Sequence, residues 1–284
     1  MTNSSMQNTV LPSPLVIVRG AGDISTGTIH RLFSAGFEVL VLEAARPSAI
    51  RRRVAFSEAV YDGAATVEGV TAVRIADIEQ VGATLARGEV PLLVDPEGAC
   101  IQRLEPSAVV DAILAKRNLG TSMDMAPLTV ALGPGFVAGR DVHYVIETMR
   151  GHDLGRIIAS GSAAPNTGVP GVIGGYGIER VIHAPAAGIF HMNRDIGSLV
   201  EAGEAVGSIA TPEGEIPVCA KIAGLLRGIL RDGYPVTKGF KLADVDPRPD
   251  QLKNCTTISD KARCIAGSVL ELVTAQEHRE RHPR

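Results

Sequence analysis

Tryptophan is missing from this 284-residue sequence and aromatic residues make up only 4% of it, so there are few flat faces on which single-stranded bases or sugars could stack. A basic excess is missing too. With 28 Lys and Arg against 31 Asp and Glu the net charge is -3, which speaks against nucleic acid as a partner. The four cysteines, Cys100, Cys219, Cys255 and Cys264, form neither a CxxC pair nor a disulfide-dense pattern, as expected in a reducing cytoplasm. The opening MTNSSMQNTVLPSP lacks the charged and apolar regions of a signal peptide, and no apolar run approaches the about 18 residues of a membrane helix. A cytoplasmic protein without a membrane partner is expected. Glycine, by contrast, is plentiful at 31 residues, with 17 Pro, so many turns depend on backbone freedom.

At roughly 150 residues per domain the length predicts about two domains. Leu15 to Val18 is a short apolar run ending in Arg19 and a glycine turn, followed by helical spacing at Ile29, Leu32 and Phe33 and a second strand from Phe37 to Leu42. This strand, turn, helix and strand form a βαβ unit and begin a parallel sheet. Strands at Val70 to Ile75, Leu92 to Asp95, Leu128 to Leu132, Val142 to Ile146 and Leu154 to Ala159 continue the pattern, alternating with helices at 78–86 and from Pro106-Ser107 to Lys116. The result is a doubly wound α/β domain over residues 14–178, closed by the Gly/Pro-rich GSAAPNTGVPGVIGGYG. Residues 179–246 read as an all-β module of short strands. There HAPAAGIFHMNRDIGSLVEAGEAVGSI is echoed by CAKIAGLLRGILRDGYPVTKGFKLADV, a duplication with glycines 188, 203, 224 and 239 at matching turns. The hairpin between the halves, ATPEGEIPV, has no lysine, so covalent biotin or lipoate is not expected. Residues 247–284 form a connector and a C-terminal helix over Ile258 to Gln276 that packs back on a domain, with a solvated or frayed EHRERHPR tail.

The strand-borne GAGDISTG is the leading ligand signal, since Gly20 and Gly22 let a phosphate approach the backbone at a helix start and Glu43 stands where a ribose hydroxyl is usually held. Its third glycine comes late and Asp23 sets a carboxylate near the phosphate, which leaves open a tight packing turn in which Asp23 caps the helix. Arg51 and Arg52, after the second strand, would offset that charge and bind phosphate; the alternative is a solvated face paired with Glu58 and Asp62. Gly133 and Gly135 of LGPGF form an anion nest or a plain turn, and with Arg150 and His152 of ETMRGHDLG they make the opposing wall. His152 is the candidate proton relay and Cys100 the candidate thiolate for sulfur or selenium, though a lone cysteine is more often a small hydrophobe. His30, His143, His152, His183 and His191 show no metal-ligand spacing, and no metal is expected.

Taken in order, VRGAGDISTGTIHRL, EAARPSAIRRRVAFSEAVYDG, VDAILAKRNLGT, ALGPGF, DVHYVIETMRGHDLGRII, APNTGVPG and LADVDPR resemble the YqeB family, from about Val16 to the C-terminal helix. The resemblance implies a maturation protein of selenium-dependent molybdenum hydroxylases, linked with the molybdenum cofactor. It also implies a Rossmann-like domain, similar to that of xanthine dehydrogenase accessory factors, joined to a biotinyl/lipoyl-like barrel-sandwich hybrid. The ligand expected is a molybdopterin dinucleotide or NAD(P), and the partner a client hydroxylase. An NAD(P)-dependent oxidoreductase and a non-catalytic protein-binding scaffold are the competing readings.

Overall fold

Every residue of LVIVR, Leu15–Arg19 (β1), is buried, as a central strand covered on both faces requires. The chain, described by a computed structural model over residues 14–282, builds one nine-stranded sheet around it. Its first half runs α1 (Asp23–Ser34), β2 (Glu38–Glu43), α2 (Ala59–Asp62), β3 (Ala64–Val67), β4 (Val70–Ile75), α3 (Val81–Ala86) and β5 (Val90–Val94). The second half adds α4 (Ile101–Leu104), β6 (Ala108–Asp111), β7 (Leu128–Leu132), β8 (Tyr144–Ile146) and β9 (Ile157–Ile158). The order is β3-β4-β5-β2-β1-β6-β7-β8-β9. The inner strands are parallel, with Val16 opposite both Val39 and Ala108, and the edge strands β3 and β9 run antiparallel to their neighbours.

One face carries the larger core, where Ile29 and Leu32 of α1 meet Ile265 and Val269 of α5 (Asp260–Arg281). Ser259 starts α5 by accepting the Ala262 N–H at 3.2 Å, and the helix runs on to Arg281 through most of the tail expected to be frayed. The two helices meet closely at Gly27: a Cβ there would lie 2.8 Å from that of Ala262. The opposite face is covered thinly, by Val81 of α3, Ile101 of α4 and adjoining loops over Ile17, Leu40 and Leu42.

The all-β part comprises β10 (Val181–His183), β11 (Gly188–Met192), β12 (Leu199–Val200), β13 (Ala205–Thr211), β14 (Gly214–Cys219), β15 (Gly224–Ile229), β16 (Tyr234–Val236) and β17 (Lys241–Asp246). These strands make two four-stranded antiparallel sheets, β10-β17-β15-β12 and β14-β13-β11-β16, that share one core including Phe190, Val206, Leu226 and Leu242. The sequence duplication is visible here. Gly188 and Gly224 hold the same place in the two halves, and a Cβ on either would collide with a carbonyl oxygen, of Ala210 and Asp246 respectively.

This architecture corrects the expected Rossmann-like doubly wound sheet with a barrel-sandwich hybrid. The large sheet is mixed, and its full-length helices lie on one face while α3 and α4 span six and four residues. The duplicated glycines fix where strands approach each other, and two separate antiparallel sheets satisfy that requirement. The helix expected from Pro106 to Lys116 is also corrected, because Ala108–Asp111 is a strand with Val109 in one core layer and Val110 in the other. An apolar run buried on both sides reads alike as helix or strand. Met1 to Ser13, expected to carry no targeting signal, lies outside the described residues. Among the described residues no helix is long and apolar enough to cross a membrane.

Gly27→Leu should therefore cost about 1–3 kcal/mol by overpacking the α1–α5 crossing. Gly22→Ala should leave stability nearly unchanged, since its Cβ would meet nothing within 4 Å and its φ of -66° suits any residue. Urea denaturation of the two variants checks the contrast.

Candidate functional site

The glycine turn after β1 is held shut by its own chain. Gly20, at φ +93°, lies so near β6 that a Cβ would sit 2.9 Å from the Ala112 carbonyl oxygen. Glu43 accepts the Ala21 N–H on one carboxylate oxygen and the Ala44 N–H on the other, each at 2.7 Å, while burial raises its pKa. Asp23 pairs with Arg51 at 3.1 Å, and Arg51, 8% exposed, also donates to the backbone carbonyls of Asn254 and Thr257 at 2.9 and 3.3 Å. Arg52 donates to the Ile229 carbonyl at 2.8 Å and to Asp195 at 2.7 Å. Both guanidiniums expected to receive phosphate are thus committed to internal acceptors. Sequence alone does not distinguish an arginine that awaits a ligand from one that ties a loop to the next module.

Gly133 and Gly135 allow close approach rather than an open nest. A Cβ on Gly133 would lie 2.6 Å from the Thr148 hydroxyl, and one on Gly135 would lie 2.6 Å from the Arg117 nitrogen. Cys100 packs in the thin core layer at 8% exposure, and burial pushes its thiol up to about 12, so it is a small hydrophobe and no thiolate. His143 accepts the Thr129 N–H at 3.0 Å, a structural role. His152 is exposed and outside the lining of the clefts described next.

Arg150 of the predicted set lines two large openings. Beyond the carboxyl ends of β6, β7 and β8, a chamber of about 910 Å³ is lined by Leu114, Pro134, Met149, Ile178 and Lys261 among others. A second chamber, of about 630 Å³, lies between β15, β17 and the start of α5. Arg150, Pro170, Gly171, Val181 and Lys241 line both, so the two form one groove along the junction of sheet and β module. Residues 164–173 of the Gly/Pro-rich stretch, expected to be a linker, form its outer wall.

The smaller chamber is strongly basic, with Arg150, Arg180, Arg227, Lys241 and Arg248 against Asp244 and Asp260. Arg180, 5% exposed, is held by the Gly171 carbonyl and Asp244, both at 2.9 Å, with its Nε left unpartnered. Arg248 grips the fully buried Asp246 with two bonds at 2.8 and 2.9 Å, and Arg150 grips Asp260 at 2.9 and 3.1 Å. Arg227 is different. No described residue accepts a hydrogen bond from it, its Nε is buried, and burial followed by the Arg51 charge pulls its pKa down. Asp244, Asp246 and Asp23 offset part of that lowering, and the buried Nε is the atom left without an acceptor. Sequence reasoning missed Arg180, Arg227, Lys241, Arg248 and Lys261. The available signal was a cation inside the apolar run Leu225-Leu226-Arg227-Gly228-Ile229.

Among the described residues no three His, Cys, Asp or Glu side chains gather as a metal set. These features define a class: an α/β protein with a duplicated antiparallel module and a basic groove at the junction. No family model matches the chain. It is 51% identical over 264 residues to "Uncharacterized protein YqeB" of Escherichia coli (strain K12), covering 93% of this chain and 48% of that protein. The chain belongs to the YqeB family over that shared span and corresponds to about half the length of the curated relative it matches. Among solved structures, the Ectoine utilization protein EutE (DoeB) from Ruegeria pomeroyi in its apo form aligns at 11% identity and TM-score 0.26, over 82% of this chain and 86% of that chain. The succinylglutamatedesuccinylase/aspartoacylase from Rhodobacter sphaeroides aligns at 13% identity and TM-score 0.26, over 82% and 85%. A likeness that slight carries no argument about this chain.

Two outcomes follow from the pairings. Arg51→Ala strands the Asp23 carboxylate and two backbone carbonyls, so it should cost on the order of 2 kcal/mol in the ligand-free protein, read by urea denaturation. Hydrogen bonding by Arg150 lowers the Asp260 carboxyl to about 2, so the pair's stabilisation holds above the ordinary Asp range and fades as pH falls through that value. Followed by NMR, Asp260 should titrate near 2, and in Arg150→Ala its midpoint should rise toward about 3.9.

Proposed function

We propose that this chain is an accessory protein in the maturation of a molybdenum hydroxylase, selenium-dependent as the family resemblance implies, and that it holds a phosphate-bearing cofactor of molybdopterin dinucleotide type in the groove. The observation that carries this reading is Arg227, a guanidinium from which no described residue's side chain or backbone accepts a hydrogen bond, in a chamber already rich in cations. A polyanion fits that donor set, because each phosphate oxygen offers the acceptor that Arg227 and the Arg180 Nε lack. Arg227, Lys241 and Arg150 would hold the phosphates. The larger chamber, with Pro134, Met149 and Ile178 in its lining, would take a flat ring system. Both volumes fall in the roughly 300–1,000 Å³ range of small-molecule sites. The client hydroxylase is the partner in this reading, and the cytoplasm the place.

The seat differs from the one first expected, since the Gly20–Gly22 turn is closed by Glu43 and the Asp23–Arg51 pair. That closure weighs against an NAD(P)-dependent oxidoreductase that binds its dinucleotide at the turn.

Thermal melting with molybdopterin species, cytidine dinucleotides, NAD(H) and NADP(H) tests the proposal. A true ligand at a hundred times its Kd should add about 2.7 kcal/mol of stability. Arg227→Ala should abolish that gain while leaving the ligand-free melting temperature unchanged or higher, because it removes an unpartnered cation. A large loss of ligand-free stability with the ligand response intact would show Arg227 to be structural and overturn the reading.

A further inference from the structure

Lys261, in the first turn of α5, lines the larger chamber, and its ammonium group forms no hydrogen bond with any described residue. Charged groups from each neighbouring element surround it: Arg150 and Glu147 from the segment after β8, Asp23 from α1, and Asp260 beside it on α5. None of the three carboxylates is free to neutralise it. Asp260 is taken by Arg150, and Asp23 by Arg51. The two oxygens of Glu147 accept the Met149 and Ala164 N–H groups, each at 2.7 Å. Burial and then the like charge of Arg150 lower the lysine's pKa, and Asp23, Glu147 and Asp260, each hydrogen-bonded elsewhere, raise it less than these lower it. A desolvated lysine beside a second cation is held toward its neutral, nucleophilic amine. The same chamber is lined by Lys116, Lys241 and His183, which gives an anionic group on a guest somewhere to rest.

We propose that Lys261 is a nucleophilic amine that captures, as an imine, the aldehyde or ketone of an anionic small molecule seated in the larger chamber. The amine nitrogen bonds to the carbonyl carbon and a proton passes from nitrogen to oxygen, giving a carbinolamine. The hydroxyl then leaves with the remaining nitrogen proton as water, so a C=N bond replaces C=O and no oxidant or reductant is consumed. This step is independent of the maturation role, and its failure would leave the Arg227 test untouched.

The probe is pyridoxal 5'-phosphate, trapped with borohydride on the full chain, with pyridoxal as the comparison that carries the same aldehyde without the phosphate. Peptide mapping should find the reduced adduct on Lys261 several-fold faster than on the exposed Lys238 or Lys253, since the chamber gathers the anionic probe beside an amine whose neutral fraction is raised. The phosphorylated probe should react faster than pyridoxal, and Lys241→Ala should narrow that gap. Lys261→Arg, which keeps the charge, should lose this adduct and keep the melting temperature. Labelling of Lys261 no faster than of the exposed lysines overturns the proposal on the unmodified chain, whatever the variants do. Equal rates with the two probes overturn it too, because the anionic seat is part of it.

Discussion

Arg51 carries a full charge at 8% exposure, and the acceptors that satisfy it set the relation between three parts of the molecule. Its guanidinium reaches Asp23 at the start of α1 and the carbonyls of Asn254 and Thr257 in the connector before α5. The same short segment lies against β15, where the Ile229 N–H donates to the Ile50 carbonyl at 2.8 Å and a Cβ on Gly228 would sit 2.9 Å from that oxygen. Nearby, Arg231 pairs with Glu58 and Asp62 and lies over the Tyr61 ring at 4.6 Å. Sheet, β module and connector are thus tied through one strap. The groove is the space these ties leave open, and its walls come from all three parts.

The division of labour among the arginines follows from this. Those of the strap neutralise buried acceptors and keep the modules in register, whereas those of the smaller chamber crowd together with too few carboxylates. Like charges gathered in a partly desolvated space oppose folding. A protein that tolerates such a cluster gives up stability at a functional place, a common compromise in sites built for charged guests. Arg227 shows it most sharply, since the charge of the buried Arg51 opposes its own.

The sheet's centre was legible because its strands are short apolar runs punctuated by glycine, from LVIVR through LTVAL. The rest was less so: the edge strand β3 went unread, β9 keeps two residues of the strand expected over Leu154 to Ala159, and β6, beside β1, sits in a run whose burial on both faces erases any period. Within the all-β part, repetition of residue types revealed the duplication, while the division into two sheets depends on pairings far apart in sequence. Of the residues expected at the carboxyl edge, Arg150 lines the groove. The rest came from Arg180, Arg227 and Lys241 in the β module and from Lys261 in the final helix. No motif joins those positions; the strap does. Conversely, the glycine turn looked like a seat because its signature is local, and what closes it, Glu43 and the Asp23–Arg51 pair, depends on where distant segments return.

The first turn of α5 is groove wall, and its later turns, through Ile265 and Val269, are core shared with α1. Because one helix is both wall and core, anything that loosens its packing on α1 also deforms the groove, so the shape of the opening and the cohesion of the larger core are coupled through a single element.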